Sequence, residues 1–314
     1  MCILYAMKKL GFIDVRLSYV FMTGLVFVCA FEYILIKPFI EAVSALTFIW
    51  MKYLLASIVL CVIKLIRKER WPFKISDIPY FLLLALAGEF LYYMGTYNAV
   101  NYLPVALVTV VIALCPVLSI VFERIFHKKK IRLPAVLGIC VSLFGISLVA
   151  GVDIAMFASG RILGYLLAFG PVVCVNIYNF TVIKLTPRYS TIDIALYVVA
   201  SSTVISFPIA IGNMPEPSVY TASFFGVVLF LGLAVAVFGS LAYVNSVKVL
   251  GPTTTLLFSN FVPVVTCVFG WLLLGETIMP LQLLGGAITL IGCASVIWLY
   301  GKTLPEPVKN LYMR

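Results

Sequence analysis

The chain is 314 residues long, 63% hydrophobic and only 11% charged, with a mean hydropathy of +1.15 and a formal net charge of +10. An ordinary soluble domain carries about a quarter charged residues, and its interior cannot hide this much apolar surface. A soluble enzyme, a nucleic-acid-binding module and a disordered scaffold are excluded, whereas ten helices of about 20 residues would use roughly 200 residues and leave about 110 for short loops and tails.

Taken in chain order, the apolar runs predict spans at 17–36, 44–66, 79–98, 104–126, 133–151, 161–183, 192–211, 221–247, 254–274 and 281–300. Residues 1–16 and 301–314 remain as terminal segments outside the membrane. The runs are apolar all round and lack the alternation of barrel strands, so the fold class is an all-α membrane protein with ten transmembrane helices. Lys8, Lys9 and Arg16 precede the first run as in a signal peptide, but that run has no small-x-small exit and reads as a span. Pro79, Pro104, Pro134 and Pro252 stand at helix starts, where a missing N–H costs little.

The basic residues set the orientation. With the N-terminus in the cytoplasm, nineteen Lys and Arg fall on that side, among them Lys64 to Lys74, Arg124 to Arg132, Lys184 and Arg188. Only Lys37 and Arg161 fall outside, and Lys52 lies within a span. This is a positive-inside pattern with both termini cytoplasmic. The Lys128-Lys129-Lys130 run belongs to it. The expected location is a bacterial inner membrane. Seven of the eight cysteines lie in or beside apolar runs and none forms CxxC, so they read as small packing residues.

The two halves match at an offset of 147: Lys37 with Lys184, Asn98 with Asn245, Pro116 with Pro263, Ile131 with Ile278, Leu137-Gly138 with Leu284-Gly285, and Gly145 with Gly292. Residues 17–151 and 161–300 each hold five spans. Five is odd, so the second half enters the membrane inverted, an arrangement that places a carrier's substrate site near the midplane between repeats. Gly138 and Gly145, like Gly285 and Gly292, are about two turns apart and give each helix a small-residue face.

The segment Asn245 to Gly292, NSVKVLGPTTTLLFSNFVPVVTCVFGWLLLGETIMPLQLLGGAITLIG, resembles the second-repeat signature of EamA-type proteins of the drug/metabolite transporter superfamily. The carrying residues are Gly251-Pro252, Pro263, Leu274-Gly275-Glu276 and the glycine-rich helix that follows. The first half resembles the same unit through Pro104, Pro116, Gly138 and Gly145, but has Lys129 where the second has Glu276. Lys52-Tyr53 stands where the family often has Arg-Phe. The resemblance implies ten helices, an inverted five-plus-five repeat, and metabolite export or exchange.

Charged groups at membrane depth are functional candidates by default, and three stand out: Glu32, Lys52 and Glu89. Helical rise puts Glu89 about 14 Å and Lys52 about 12 Å below the outer helix ends, level enough to pair, and Glu32 about 6 Å deep, where water is expected to reach it. Glu89, Tyr92, Tyr93, Thr96 and Tyr97 form one stripe, continued by Asn98 and Asn101. Such a stripe suits a cavity wall that packs aromatic faces on an organic cation and orients it with hydroxyls. An interfacial tyrosine belt is the other reading. Asn176, Asn179 and Asn260, with Ser259, Tyr178 and Asn245 nearby, offer amide donors and acceptors to a ligand or equally to neighbouring helices. Pro116 and Pro263, within spans, are candidate hinges or lining.

The expected function is a secondary transporter of amino acids, amines or amino-acid-like cofactors by alternating access, with protons as a candidate coupling ion held on deep carboxylates. Nucleotide- or sugar-type cargo is the alternative within the superfamily, disfavoured because one intramembrane Lys is few for a poly-anion. A membrane enzyme on lipid-linked substrates would need acidic or His clusters at the surface, and a channel would need a filter loop or charged ring. Neither is visible, and no cofactor, metal or nucleic-acid partner is expected: lone His127 sits in a basic loop and no Walker-type loop occurs. The expected partners are a small metabolite and the bilayer, with the chain a monomer or a weak homodimer.

Overall fold

The computed structural model describes residues 15–39, 42–99, 102–103, 108, 111–127, 133–149, 162–274 and 279–301. Among these residues the regular structure is helical and no strand occurs. This is the form in which an apolar chain satisfies its own backbone without water. The helices are α1 (Val15–Ile36), α2 (Ala45–Ile66), α3, α4 (Cys115–His127), α5 (Leu133–Val149), α6 (Ile162–Leu185), α7 (Thr191–Ile211), α8, α9 and α10 (Pro280–Gly301). Helix α3 is built from Ile78–Leu84, a π-helical stretch Ala85–Leu91, and Tyr92–Ala99. Helix α8 repeats that plan as Ala222–Phe230, a π-helical stretch Leu231–Phe238, and Gly239–Leu250. Helix α9 is split into Pro252–Ser259 and Val262–Leu274. Seven helices among the described residues are long and apolar enough to cross a membrane; Val136–Val149 and Pro280–Val296 are shorter apolar stretches.

Local sequence explains the ends. Ser44 caps α2 by accepting the Thr47 N–H at 3.2 Å, Ser190 and Asp193 form a reciprocal capping box on α7, and Thr221 caps α8. Pro79, Pro134, Pro252 and Pro280 occupy first or second helical positions, where no intrahelical donor is lost. Pro104, Lys129 and Glu276 lie outside the described residues. The α8–α9 connection is the single residue Gly251, whose φ of 84° and ψ of 164° fall where side chains are not tolerated.

The strongest pairings join a helix of the first half to one of the second: α5 to α10, α2 to α7, α3 to α6 and α1 to α8. In the α5–α10 pair the glycine faces meet: a Cβ on Gly145 would lie 2.6 Å from the Gly285 carbonyl oxygen, and one on Gly292 would lie 2.6 Å from the Ser142 nitrogen. Glycine thus sets the approach of the two backbones. The α2–α7 pair buries Ile49, Tyr53, Ala56 and Leu60 against Ile192, Ala195, Leu196 and Val199.

Candidate functional site: a central cavity beside Glu89

A cavity of about 170 Å³ lies inside the bundle. Its walls come from both halves: Met22, Val26 and Cys29 of α1, Tyr53 of α2, Gly88, Glu89, Tyr92 and Tyr93 of α3, Tyr178 of α6, Gly239, Ser240 and Tyr243 of α8, and Ser259 and Val262 of α9.

Four of the helices around it are irregular at the level of the cavity. The π-helical stretches of α3 and α8 stand one repeat offset apart, and Glu89 lies in the first. The chain turns at 113–114 before α4 and at 260–261 within α9, again one offset apart. The backbone bonds match too: Leu114 N–H to Val111 O at 3.1 Å corresponds to Phe261 N–H to Phe258 O at 3.0 Å. Pro116 and Pro263 therefore sit just inside new helical segments and not within continuous ones. Irregular backbone at membrane depth is tolerated where it borders a cavity or is buried in protein, and π-helical turns concentrate at functional sites.

Glu89 faces the cavity and accepts a hydrogen bond from the Tyr53 hydroxyl. The Tyr92 and Tyr93 rings stand beside it, 5.2 Å apart and nearly perpendicular. Helix α6 brings Tyr178 against α3 because residue 88 is glycine; a Cβ there would overlap the Tyr178 ring. Tyr243 meets Tyr178 at 5.9 Å. The chamber is therefore one carboxylate in a ring of phenols, a surface suited to an organic ammonium.

Lys52 does not pair with Glu89 as its depth suggested. Its ammonium lies 3.7 Å from a Glu32 carboxylate oxygen, with the Tyr93 ring centroid at 3.7 Å and the Tyr53 centroid at 4.9 Å. Consecutive helical residues point about 100° apart, so α2 aims Tyr53 at α3 and Lys52 at α1. Glu32 is likewise not open to water: it is buried by the same contact. Neither residue lines the cavity.

The asparagines take different roles. Asn176 donates to Val172 O at 2.8 Å and Cys115 O at 3.2 Å, tying α6 to α4. Asn260 donates to Ser142 Oγ at 3.3 Å, tying the break in α9 to α5. Asn179 is fully buried beside the Tyr243 hydroxyl of the cavity wall. None of the three lines the cavity. Thr96 bonds back to the Tyr92 carbonyl at 2.8 Å, while the Tyr97 side chain and Asn101 lie outside the described residues. Tyr53, Tyr178 and Tyr243 are wall residues that the sequence pattern does not single out. Tyr243 and Tyr178 share no stripe with a charged residue, and long-range packing alone places them. Among the described residues no three His, Cys, Asp or Glu converge as a metal site.

The family model that matches this chain does so twice, over residues 16–151 and 162–298, and its description is "EamA-like transporter family". The chain belongs to the EamA-like transporter family. As an EamA-like transporter it is a multi-pass membrane protein in contact with the bilayer, and its cargo is a small molecule. It is 25% identical over 232 residues to a probable terminal-alkyne amino-acid exporter of Streptantibioticus cattleyicolor, covering 73% of this chain and 75% of that one. It is also 25% identical over 245 residues to the uncharacterized transporter YdfC of Bacillus subtilis, covering 77% and 78%. A crystal structure matches with a TM-score of 0.73 at 18% identity, covering 91% of this chain and 99% of its own, which speaks to the fold alone.

Proposed function

We propose that this EamA-like protein is a secondary carrier that exports or exchanges small solutes bearing an amine, with amino acids and amines first, by rocking two inverted five-helix repeats about the central cavity. The observation that carries the reading is Glu89: among the described residues the one carboxylate on the cavity wall, oriented by the Tyr53 hydroxyl and flanked by tyrosine rings. Such a group attracts an ammonium, and the same carboxylate can hold a proton between cycles. Lys52 and Glu32 then act as an internal pair that fixes α1, α2 and the Tyr93 ring, one step behind the wall.

The double match of the family model and the recurrence of the helix irregularities at one offset support the inverted repeat. The excess of Lys and Arg between spans supports cytoplasmic termini, and the bacterial source of both relatives fits an inner membrane. The name of the Streptantibioticus relative points the same way for cargo. A nucleotide or sugar phosphate fits less well, since the cavity is smaller than the ~300–1,000 Å³ of drug-sized sites and Lys52 is turned from it.

A thermal-shift panel on the purified protein tests the cargo class, because a ligand bound only by the folded form raises its stability. Amines and amino acids are expected to raise the melting temperature of the wild type and to lose that effect in Glu89→Gln. A shift produced by sugar phosphates or nucleotides alone would overturn the assignment.

A further inference from the structure

We infer that the bundle end carrying the α2–α3 and α6–α7 connections is a gate, latched by two interlocked ion pairs, Lys64–Asp193 and Arg188–Asp77. The inference rests on the carrier reading above and adds which contacts must break for one face of the cavity to open.

Both ion pairs of the latch join residues 64–81 of the first repeat to 188–197 of the second. The Lys64 side chain is fully buried near the end of α2; its ammonium bonds the Asp193 carboxylate and lies 4.8 Å from the Trp71 ring and 5.7 Å from that of Tyr197. The other Asp193 oxygen accepts from the Ser190 N–H at 3.0 Å and the Ser190 hydroxyl at 2.7 Å, so the α7 cap and the latch share one carboxylate. Asp77, also buried, accepts from Arg188 at 2.6 Å and from the Tyr189 hydroxyl at 2.9 Å. Burial, and then the bond to Asp77, push the Tyr189 phenol above its ordinary range, so it remains a donor there. The Tyr197 hydroxyl donates to the Pro72 carbonyl at 3.1 Å, and Phe81 packs edge-on against Tyr189 and Tyr197.

Below the latch, Phe81, Leu84, Val182, Ile194 and Val198 form a buried cluster that also contains Tyr178 of the cavity wall. The cavity is therefore sealed toward this end by one apolar layer with the ionic latch outside it.

The opposite end closes on different chemistry. One offset after Asp77 comes Phe224, fully buried and packed on Phe39 at 5.7 Å and Phe48 at 5.8 Å. Thr47 bonds the Asn213 carbonyl there at 2.8 Å, and no ion pair spans that end among the described residues. Buried ion pairs add little stability over a well-packed apolar contact because desolvation offsets their attraction. Their distinguishing property is that water recovers the desolvation cost when they part. The Arg188 side chain is already 43% exposed, so water reaches the latch from outside. An ionic closure at one end and an aromatic one at the other make the ionic end the one that parts readily into water.

Cys29 on the cavity wall reports the gate. In a variant retaining Cys29 as its one thiol, labelling by a membrane-impermeant methanethiosulfonate cation is measured separately from each face of sealed vesicles. Asp77→Asn with Asp193→Asn is expected to raise the labelling rate from the latch face about ten-fold, a shift of ~1.4 kcal/mol in the opening equilibrium. Labelling from the opposite face is expected not to rise, which checks the fold. The exchanged pair Asp77→Arg with Arg188→Asp is expected to bring the rate back toward the starting value. If the double variant does not assemble, Arg188→Gln, at the half-exposed member, is expected to raise the rate in the same direction. An unchanged rate from the latch face in the assembled variants would overturn the gate. The labelling needs no substrate, so faster labelling without any solute exchange would keep the gate and remove the carrier reading instead.

Discussion

The Lys52 ammonium and the Glu32 carboxylate lie 3.7 Å apart between α2 and α1, both buried, with the Tyr93 ring centroid 3.7 Å from the ammonium. Removing one member strands the other charge in a medium that cannot solvate it, at a cost of about 3–5 kcal/mol. Glu32→Gln and Lys52→Met are each expected to lower the thermal stability of the detergent-solubilised protein strongly. The double variant is expected to recover most of the loss. A double-mutant cycle by thermal unfolding measures the coupling, and additive losses would show that the two do not act as a pair.

Tyr53→Phe keeps the ring in its buried α2–α7 setting and removes only the hydroxyl that Glu89 accepts from. The stability cost is expected to be about 1–2 kcal/mol. The apparent affinity for an amine-bearing solute is expected to fall about ten-fold, since the carboxylate loses the donor that orients it. Titration of the thermal shift with ligand reads both numbers in one experiment.

Two glycines are needed for opposite reasons. Gly251 has no heavy atom within 4 Å of a built Cβ, yet its backbone lies in a region reserved for glycine, so Gly251→Ala is expected to cost roughly 1–3 kcal/mol with ligand affinity unchanged. Gly88, in the π-helical stretch of α3, has no glycine-specific φ, and its substitution meets the Tyr178 ring of the cavity wall. Gly88→Ala is expected to weaken ligand binding more than it lowers the melting temperature. Matched unfolding and binding measurements on the two variants separate these outcomes.

Asn176 bonds two carbonyls and stays off the cavity wall, so Asn176→Ala is expected to lower stability by about 1–3 kcal/mol and leave the affinity of any ligand intact. A loss of binding at unchanged stability would return this residue to the site.

The all-helical membrane class was legible because hydropathy acts locally, and Pro and Gly recur at a fixed offset along the sequence. The glycine faces of α5 and α10 meet as their spacing implied. The π-helical stretches were not legible: Ala85 to Leu91 reads as ordinary helix, and only tertiary contact decides its extra residue per turn. The charged trio was found as residues but not as pairs. Depth along the axis follows from counting, whereas the direction a side chain faces depends on how each helix is rotated against its neighbours, and that placed Lys52 on Glu32 and Tyr53 on Glu89. Asn176 and Asn260 illustrate the same limit, since an amide serves a helix neighbour and a ligand with equal chemistry.

The most direct test is solute counterflow in proteoliposomes with the wild type and Glu89→Gln side by side, using a radiolabelled amino-acid and amine panel. The expected result is saturable exchange by the wild type and none by Glu89→Gln, with the two proteins unfolding at closely similar temperatures. Full exchange by Glu89→Gln, or linear non-saturating flux through the wild type, would contradict a carrier centred on that carboxylate.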